Sequence, residues 1–420
     1  VTGRSDVLEI LTEGLAAADP EAAVRRGISI VRPRGRTVVL AFGKAAYRMA
    51  RGALGGSVHV DRGIAIIPRG YPSGDISPIR AMEGTHPLPS GENVRASREA
   101  LELVRGVRGD EFLLVLISGG GSSLLEVPKD GVSVEEEAAL AGELMRRGAD
   151  IRELNAVRKH LSEVKGGQLL RGFRGRACAS LIVSDVVGNP LDSIASGPTA
   201  PDPTTYSDAL EVLRRYGLLD EFPGAARVLE RGAKGLLDET PKPGDRLFSR
   251  VVNRVVLDNR PSLRAMARRA RELGYRSEVL TDSMEGEARE VGRFLGSLSA
   301  RGARRALAAG GETTVTVRGS GRGGRNQELA LAAALQVKEL GAAGYTGLGA
   351  LATDGVDGNS PAAGAALGSD EIGSLDEEGA RRALYANDSY DFLARAGLAI
   401  ETGPTGTNVN DLFILLSRRR

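Results

Sequence analysis

Short, wholly apolar runs recur along this chain, separated by longer stretches in which apolar positions return every three or four residues. Thr37–Phe42 (TVVLAF), Phe112–Ile117 (FLLVLI) and Ala177–Val183 (ACASLIV) are continuous runs of strand length, the kind a parallel sheet buries on both faces. Residues 63–68, 251–257, 277–280, 306–309, 348–353 and 412–416 extend the series. Between them lie helical patterns: 6–18, with Val7, Leu8, Leu11 and Leu15 on one stripe behind Ser5 as N-cap, then 151–171, 261–273 and 285–298. This alternation predicts an α/β fold, with a Rossmann-like doubly wound sheet first and a mixed α/β domain after it. Prolines and glycines gather at Pro241, Pro243 and Gly244, so the expected domains are 1–240 and 241–420. Residues 251–257 would open the second series.

The polar residues that follow these strands carry the candidate chemistry. Gly43 and Lys44 come directly after 37–42, at a strand tip and a helix start, where α/β folds collect ligands. Lys there faces the like-signed end of a helix dipole, which favours an anion nearby. Ser118, Gly119, Gly120, Gly121, Ser122 and Ser123 end the run 112–117 and read as a backbone nest for phosphate or carboxylate. Asp185 follows 177–183 and could bind metal, accept a substrate proton or cap a turn. His86, in a proline-bracketed loop, is more simply structural.

The densest stretch is 307–331, LAAGGETTVTVRGSGRGGRNQELAL. The β-branched run 313–317 reads as a strand, Asn326 as an N-cap, and the helix continues from Gln327. Between them Gly321, Arg322, Gly323, Gly324 and Arg325 present backbone donors and formal charge at a helix start, which suits an anion. Gly319, Gly321 and Gly324 also spell the G-x-G-x-x-G of dinucleotide folds. The match falls late in the chain, the acid about 20 residues on lies inside a helix, and arginines would crowd a pyrophosphate. They suit a more highly charged group, such as a triphosphate or a phosphoryl group in transfer.

Composition narrows the partners. Net charge is +2 over 420 residues with 4% aromatics and no Trp, which disfavours a nucleic-acid surface. Cys178 is the one cysteine, and no stretch approaches a membrane span or a signal peptide; a reducing cytoplasm is the expected location. Only seven of the 56 basic residues are lysines, so Lys44 in a glycine-flanked turn stands out. Lysine, arginines, the carboxylates Asp185, Asp354, Asp357 and Asp411, and glycine turns are the parts of phosphoryl transfer. No Walker A sequence is present.

At these residues the chain resembles the glycerate 2-kinases, whose second domain contains the MOFRL region. The matching blocks are AFGKAA at 41–46, EGTHPLP at 83–89, ISGGGSSLL at 117–125, VRKHLSEVKGGQL at 157–169 and SDVVGNPLDSIASGPT at 184–199. They continue with GGETTVTVRGSGRGGRNQELAL at 310–331, TDGVDG at 353–358 and TGTNVNDL at 405–412, so the MOFRL region would occupy about 305–415. The resemblance implies two α/β domains facing a central cleft. It also implies ATP- and Mg²⁺-dependent phosphorylation of D-glycerate to 2-phosphoglycerate, with D-glycerate and ATP as partners and a second copy of the chain left open. Lys44 and Arg325 would stabilise the transferring phosphoryl group and Asp185 would orient or deprotonate the hydroxyl. Asp354 and Asp411 would hold Mg²⁺; exchanging the roles of Asp185 and Asp354 fits equally well. The Ser118 to Ser123 and Gly321 to Gly324 turns would bind anionic groups of the nucleotide. Asp258 stands where a small residue is expected before Asn259 and Arg260. An NAD(P)H-dependent hydroxypyruvate reductase, and a glycerate kinase giving 3-phosphoglycerate, are the alternatives.

Overall fold

The computed structural model describes residues 3–298, 304–341 and 345–417. The chain forms two compact units, Pro20–Val256 and a discontinuous one made of Val1–Asp19 with Leu257–Arg420. The changeover falls at 256/257 rather than near 240, and the helix Gly3–Ala17 belongs to the second unit.

The first unit is built on strands β1 (Thr37–Phe42), β2 (Val60–Pro68), β3 (Ile79–Gly84), β4 (Phe112–Ile117), β5 (Ala177–Val183) and β6 (Val251–Leu257). Their order is β3-β2-β1-β4-β5-β6. From β3 to β5 every neighbour is parallel. β1 and β4 are buried along their whole length, as continuous apolar runs demand. The expectation that 251–257 opens the second domain is corrected: β6 is the outer strand of this sheet, and its alternating burial is that of an edge. Strand order reverses between β1 and β4, the crevice where doubly wound sheets hold ligands.

The second unit carries β7 (Arg276–Met284), β8 (Arg305–Gly311), β9 (Tyr345–Ala352), β10 (Gly364–Gly368), β11 (Ala399–Ile400) and β12 (Asp411–Ser417), in the order β11-β10-β9-β12-β8-β7. Only β7 and β8 run parallel; β12 lies antiparallel between β9 and β8. Its residues alternate between two cores: Leu412, Ile414 and Leu416 pack with Val7, Ile10, Leu11 and Met266, whereas Phe413 and Leu415 pack with the helix Arg325–Glu339. That helix is buried on nearly every side, so the sheet is covered on both faces. Among the described residues no helix is long and apolar enough to cross a membrane.

Candidate functional site

In the first unit the chemistry gathers at the tips of β1 and β4. Gly43 takes φ +113°, and a Cβ there would lie 2.2 Å from Ser118 Oγ, so glycine is required by the close approach of the two strand ends. Lys44 N–H donates to Gly119 O at 2.8 Å. Ala45 N–H donates to Ser118 Oγ at 3.0 Å, and that hydroxyl donates to Phe42 O. Ser118 is fully buried and thus braces the turn instead of facing a ligand. Gly120 is left-handed (φ +77°) and the helical turn Gly121–Leu124 follows, an alternation of backbone hand that makes an anion nest. A Cβ on Gly120 would meet His86 Nε2 at 2.9 Å and Lys44 Cγ at 3.3 Å. His86 therefore joins the turn and Lys44, a neighbourhood its loop gave no sign of.

Ser122 and Ser123 are also engaged. Ser123 Oγ donates to Pro87 O at 2.6 Å, tying the turn to the loop that carries His86. Ser122 Oγ lies 3.1 Å from Ser196 Oγ, which donates to Asn155 Oδ1 at 3.0 Å. Ala195 and Ser196 hold φ of +50° and +57°, a strained pair that Ser196 Oγ helps to pin. Asp185 follows β5 two residues beyond Val183, half-buried, and is engaged within the protein.

In the second unit the glycine-rich stretch differs from expectation. Residues 313–317 form no strand; Thr314 makes one isolated bridge to Glu287, and Thr316 N and Oγ1 bond to the Glu287 carboxylate. The following loop is gripped by the segment 386–390. Gly321 N–H donates to Ala386 O at 3.1 Å, and the N–H groups of Arg318 and Gly319 to Asn387 Oδ1 at 2.7 and 3.0 Å. Arg322 N–H donates to Asp388 Oδ1, and Tyr390 N–H to Arg322 O. A Cβ on Gly319 would sit 2.2 Å from Ala386 O, on Gly321 2.6 Å from Asp388 Cβ, and on Gly323 2.2 Å from Ser389 Oγ. On Gly324 it would sit 2.3 Å from the Asp357 carboxylate. Protein atoms, not a pyrophosphate, require these glycines. Arg322 lies over the Tyr390 ring, 4.8 Å from its centroid.

The helix beginning at Arg325 is capped from outside its own sequence. Asp357 accepts from the N–H of Asn326 at 3.1 Å and of Gln327 at 2.9 Å, so Asn326 is not the cap. A carboxylate therefore fills the anion position at this N-terminus. Burial first, and Asp411 second, push the Asp357 carboxyl up to about 7, against the two backbone donors.

Arg325 is the centre of this unit's charge. Its Nε and Nη2 donate to Asp411 Oδ2 and Oδ1 at 2.5 and 3.2 Å, and Nη1 lies 2.8 Å from Glu312 Oε1. The sheet brings these groups together, because Asp411 opens β12 in register with Gly311 at the end of β8 and Ala352 at the end of β9. Glu312 and Asp354 follow those two strand ends. Asp354 is buried and accepts from Val356 N–H at 3.1 Å. Asp411 is 2% exposed with both oxygens on the guanidinium, which does not fit a metal ligand. Among the described residues no group of three or more His, Cys, Asp or Glu could hold a metal ion. Glu312, silent in the sequence reading, is the partner that reasoning missed; only its step past a strand end could have flagged it.

Beside Arg325 opens a cavity of about 530 Å³, lined by Thr313, Val315, Gly323, Asn359 and Asn387 among others, a size that takes small ligands and cofactors. A larger cavity of about 720 Å³, with Asp376, Arg382 and Arg395 on its walls, shares only Ala386 and Asp388 of the loop-gripping segment with the residues described above.

Residues 6–230 match the family described as "Domain of unknown function (DUF4147)", and residues 305–411 match the MOFRL family. A D-glycerate 2-kinase of Thermotoga maritima is 39% identical over 97% of this chain and 96% of its own length. A relative from Agrobacterium vitis, provisionally named a hydroxypyruvate reductase, is 39% identical over 99% and 95%. The crystal structure of the Thermotoga maritima glycerate kinase superposes with a TM-score of 0.86 at 38% identity, covering 99% of each chain. With both halves matched in order and the whole length covered, this chain belongs to the glycerate kinase family of DUF4147 and MOFRL architecture.

Proposed function

We propose that this chain transfers the terminal phosphoryl group of ATP to the 2-hydroxyl of D-glycerate, giving 2-phosphoglycerate and ADP. The observation that carries the reading is Lys44 beside a left-handed glycine turn at the point where strand order reverses, in a chain that has few lysines. Phosphoryl transfer asks the protein chiefly to position groups and neutralise charge. Lys44 supplies a compact cation in the first unit, and the backbone of Gly119 to Gly121 supplies dipoles. Arg325 supplies a fixed guanidinium in the second, with the cavity beside it as the candidate nucleotide pocket.

Asp185 is the candidate acceptor of the substrate hydroxyl's proton, and Asp354 the alternative. The Mg²⁺ assignment to Asp354 and Asp411 is not supported, since Asp411 is taken up by Arg325. Mg²⁺ enters this reading only as the nucleotide's own counter-ion, held mainly by phosphate oxygens and water. The reductase alternative loses its main support, because the glycines of its fingerprint pack against 386–389 and Asp357.

A phosphorus NMR time course with D-glycerate, ATP and Mg²⁺, run beside an NADH and hydroxypyruvate absorbance control, tests the proposal. ADP with 2-phosphoglycerate is the expected result. 3-Phosphoglycerate would keep the class and overturn the regiochemistry, while NADH consumption with ATP untouched would overturn the kinase reading.

A further inference from the structure

A guanidinium offers five N–H donors. On Arg325 two are committed to Asp411, one on Nε and one on Nη2, while Nη1 forms an ion pair with Glu312 at 2.8 Å. The donors on Nη1 and the second one on Nη2 make no hydrogen bond to Asp411 and are the ones left to meet an anion. One positive charge here faces two negative ones, so the cluster is a weak scavenger of anions but a well-defined donor edge.

Glu312 is itself held. Its Oε2 accepts from Asn410 Nδ2 at 3.1 Å. Asn410 is buried with φ +67°, a left-handed conformation Asn tolerates better than most residues. Its carbonyl accepts from Thr353 N–H and Oγ1 at 3.2 and 2.6 Å. One residue thus turns its carbonyl to the β9 end, its amide to Glu312 and its successor, Asp411, to Arg325. Asp411 fixes the guanidinium along one edge; Glu312 stops it pivoting about that edge.

We propose that Glu312, braced by Asn410, is a positioning residue for Arg325 in phosphoryl transfer, fixing the guanidinium for the transition state rather than adding affinity for the nucleotide. The inference rests on the kinase reading above. Glu312 is partly exposed, so its ion pair contributes little to stability. Its removal should therefore be visible in turnover and not in Tm.

The test is steady-state kinetics on Glu312→Gln, Asn410→Gly, Arg325→Ala and the double variant Glu312→Gln with Arg325→Ala. Asn410→Gly keeps the left-handed backbone and deletes only the amide. A displacement of about 1 Å in a positioned group lowers rates by up to about a hundredfold. For Glu312→Gln we expect kcat lower by roughly ten- to a hundredfold and KM for ATP unchanged or lower, because one negative charge beside an anionic ligand is gone. Asn410→Gly should show a smaller loss of the same kind, and the double variant should match Arg325→Ala alone. Loss of the full Glu312→Gln factor again in the Arg325→Ala background would overturn the inference, as would a raised KM at normal kcat. A wild-type chain inactive on D-glycerate and ATP would instead overturn the kinase reading, and the assignment with it.

Discussion

Replacing Gly319 with Ala tests whether the glycines of the 319–324 loop serve the protein or a ligand. Gly319 does not take a left-handed φ, so alanine meets no backbone penalty there. The obstacle is contact: its Cβ would lie 2.2 Å from Ala386 O and 2.5 Å from Ala386 C. The loop or the 386–390 segment must retreat by about 1 Å, an overpacking cost of about 1–3 kcal/mol. The same carbonyl accepts from Gly321 N–H, and weakening that bond adds about 1 kcal/mol. The total of about 2–4 kcal/mol corresponds to a fall in Tm on the order of 10 °C for a unit of this size. Differential scanning calorimetry of Gly319→Ala beside Gly373→Ala, where a Cβ would meet nothing within 4 Å, isolates the effect; the control should stay within about 2 °C. A normal Tm in Gly319→Ala with a large rise in the KM for ATP would refute the packing argument and return the loop to the phosphates.

Further outcomes can be stated for other groups. Lys44→Ala should lower kcat by about a hundredfold or more through lost electrostatic stabilisation, with Tm close to wild type; near-normal turnover removes Lys44 from the mechanism. Glu111 is buried, and the paired Arg62 nitrogens at 2.6 and 2.9 Å, helped by Arg108 N–H, hold its carboxyl down at about 2 despite burial. A folded pKa below the unfolded one stabilises above about pH 4.5 and loses that contribution as pH falls towards 2, so Glu111→Gln should be less stable at pH 7 by on the order of 2 kcal/mol. Urea titrations should show the gap closing between those two pH values, and a constant gap would contradict the linkage. Asp357 has the opposite sign: raised to about 7, it makes the folded state the better proton binder from about pH 4 to 7, so stability falls with rising pH there. Asp357→Asn should flatten that part of the Tm profile, and an unchanged slope would count against the buried carboxyl as its source.

The sheet cores were legible because burial on two faces leaves its mark in composition: Phe112–Ile117 and Ala177–Val183 form the strands their apolar runs announce. Ile79–Gly84 escaped because it is an edge strand with most positions exposed or half-exposed, and Gly364–Gly368 because glycine and alanine look like a loop. The error at 313–317 went the other way, since β-branched residues suit any extended backbone, including one lying on the surface. Lys44 and the 118–123 turn could be read from spacing alone, because strand, turn and helix are contiguous. The partners of Arg325 could not. Asp411 reaches it only through the register of β12 between β8 and β9, and Asp357 caps the helix from 32 positions beyond Arg325. Side chains joined through a sheet leave no local pattern.

The helix Gly3–Ala17 has a consequence for how the protein is made. It is translated before Pro20–Val256 and its partners after it: Glu9 pairs with Arg269, 260 positions away, and Val7, Ile10 and Leu11 close over Leu263, Met266, Leu412 and Ile414. While Pro20–Val256 emerges from the ribosome and collapses, this amphipathic segment has nowhere to dock and is a ready target for chaperones or for a neighbouring nascent chain. A fragment cut at Leu257 would carry an open apolar groove where the helix should lie. An autonomous second unit would have to be built by circular permutation, with the helix rejoined to the sheet it closes.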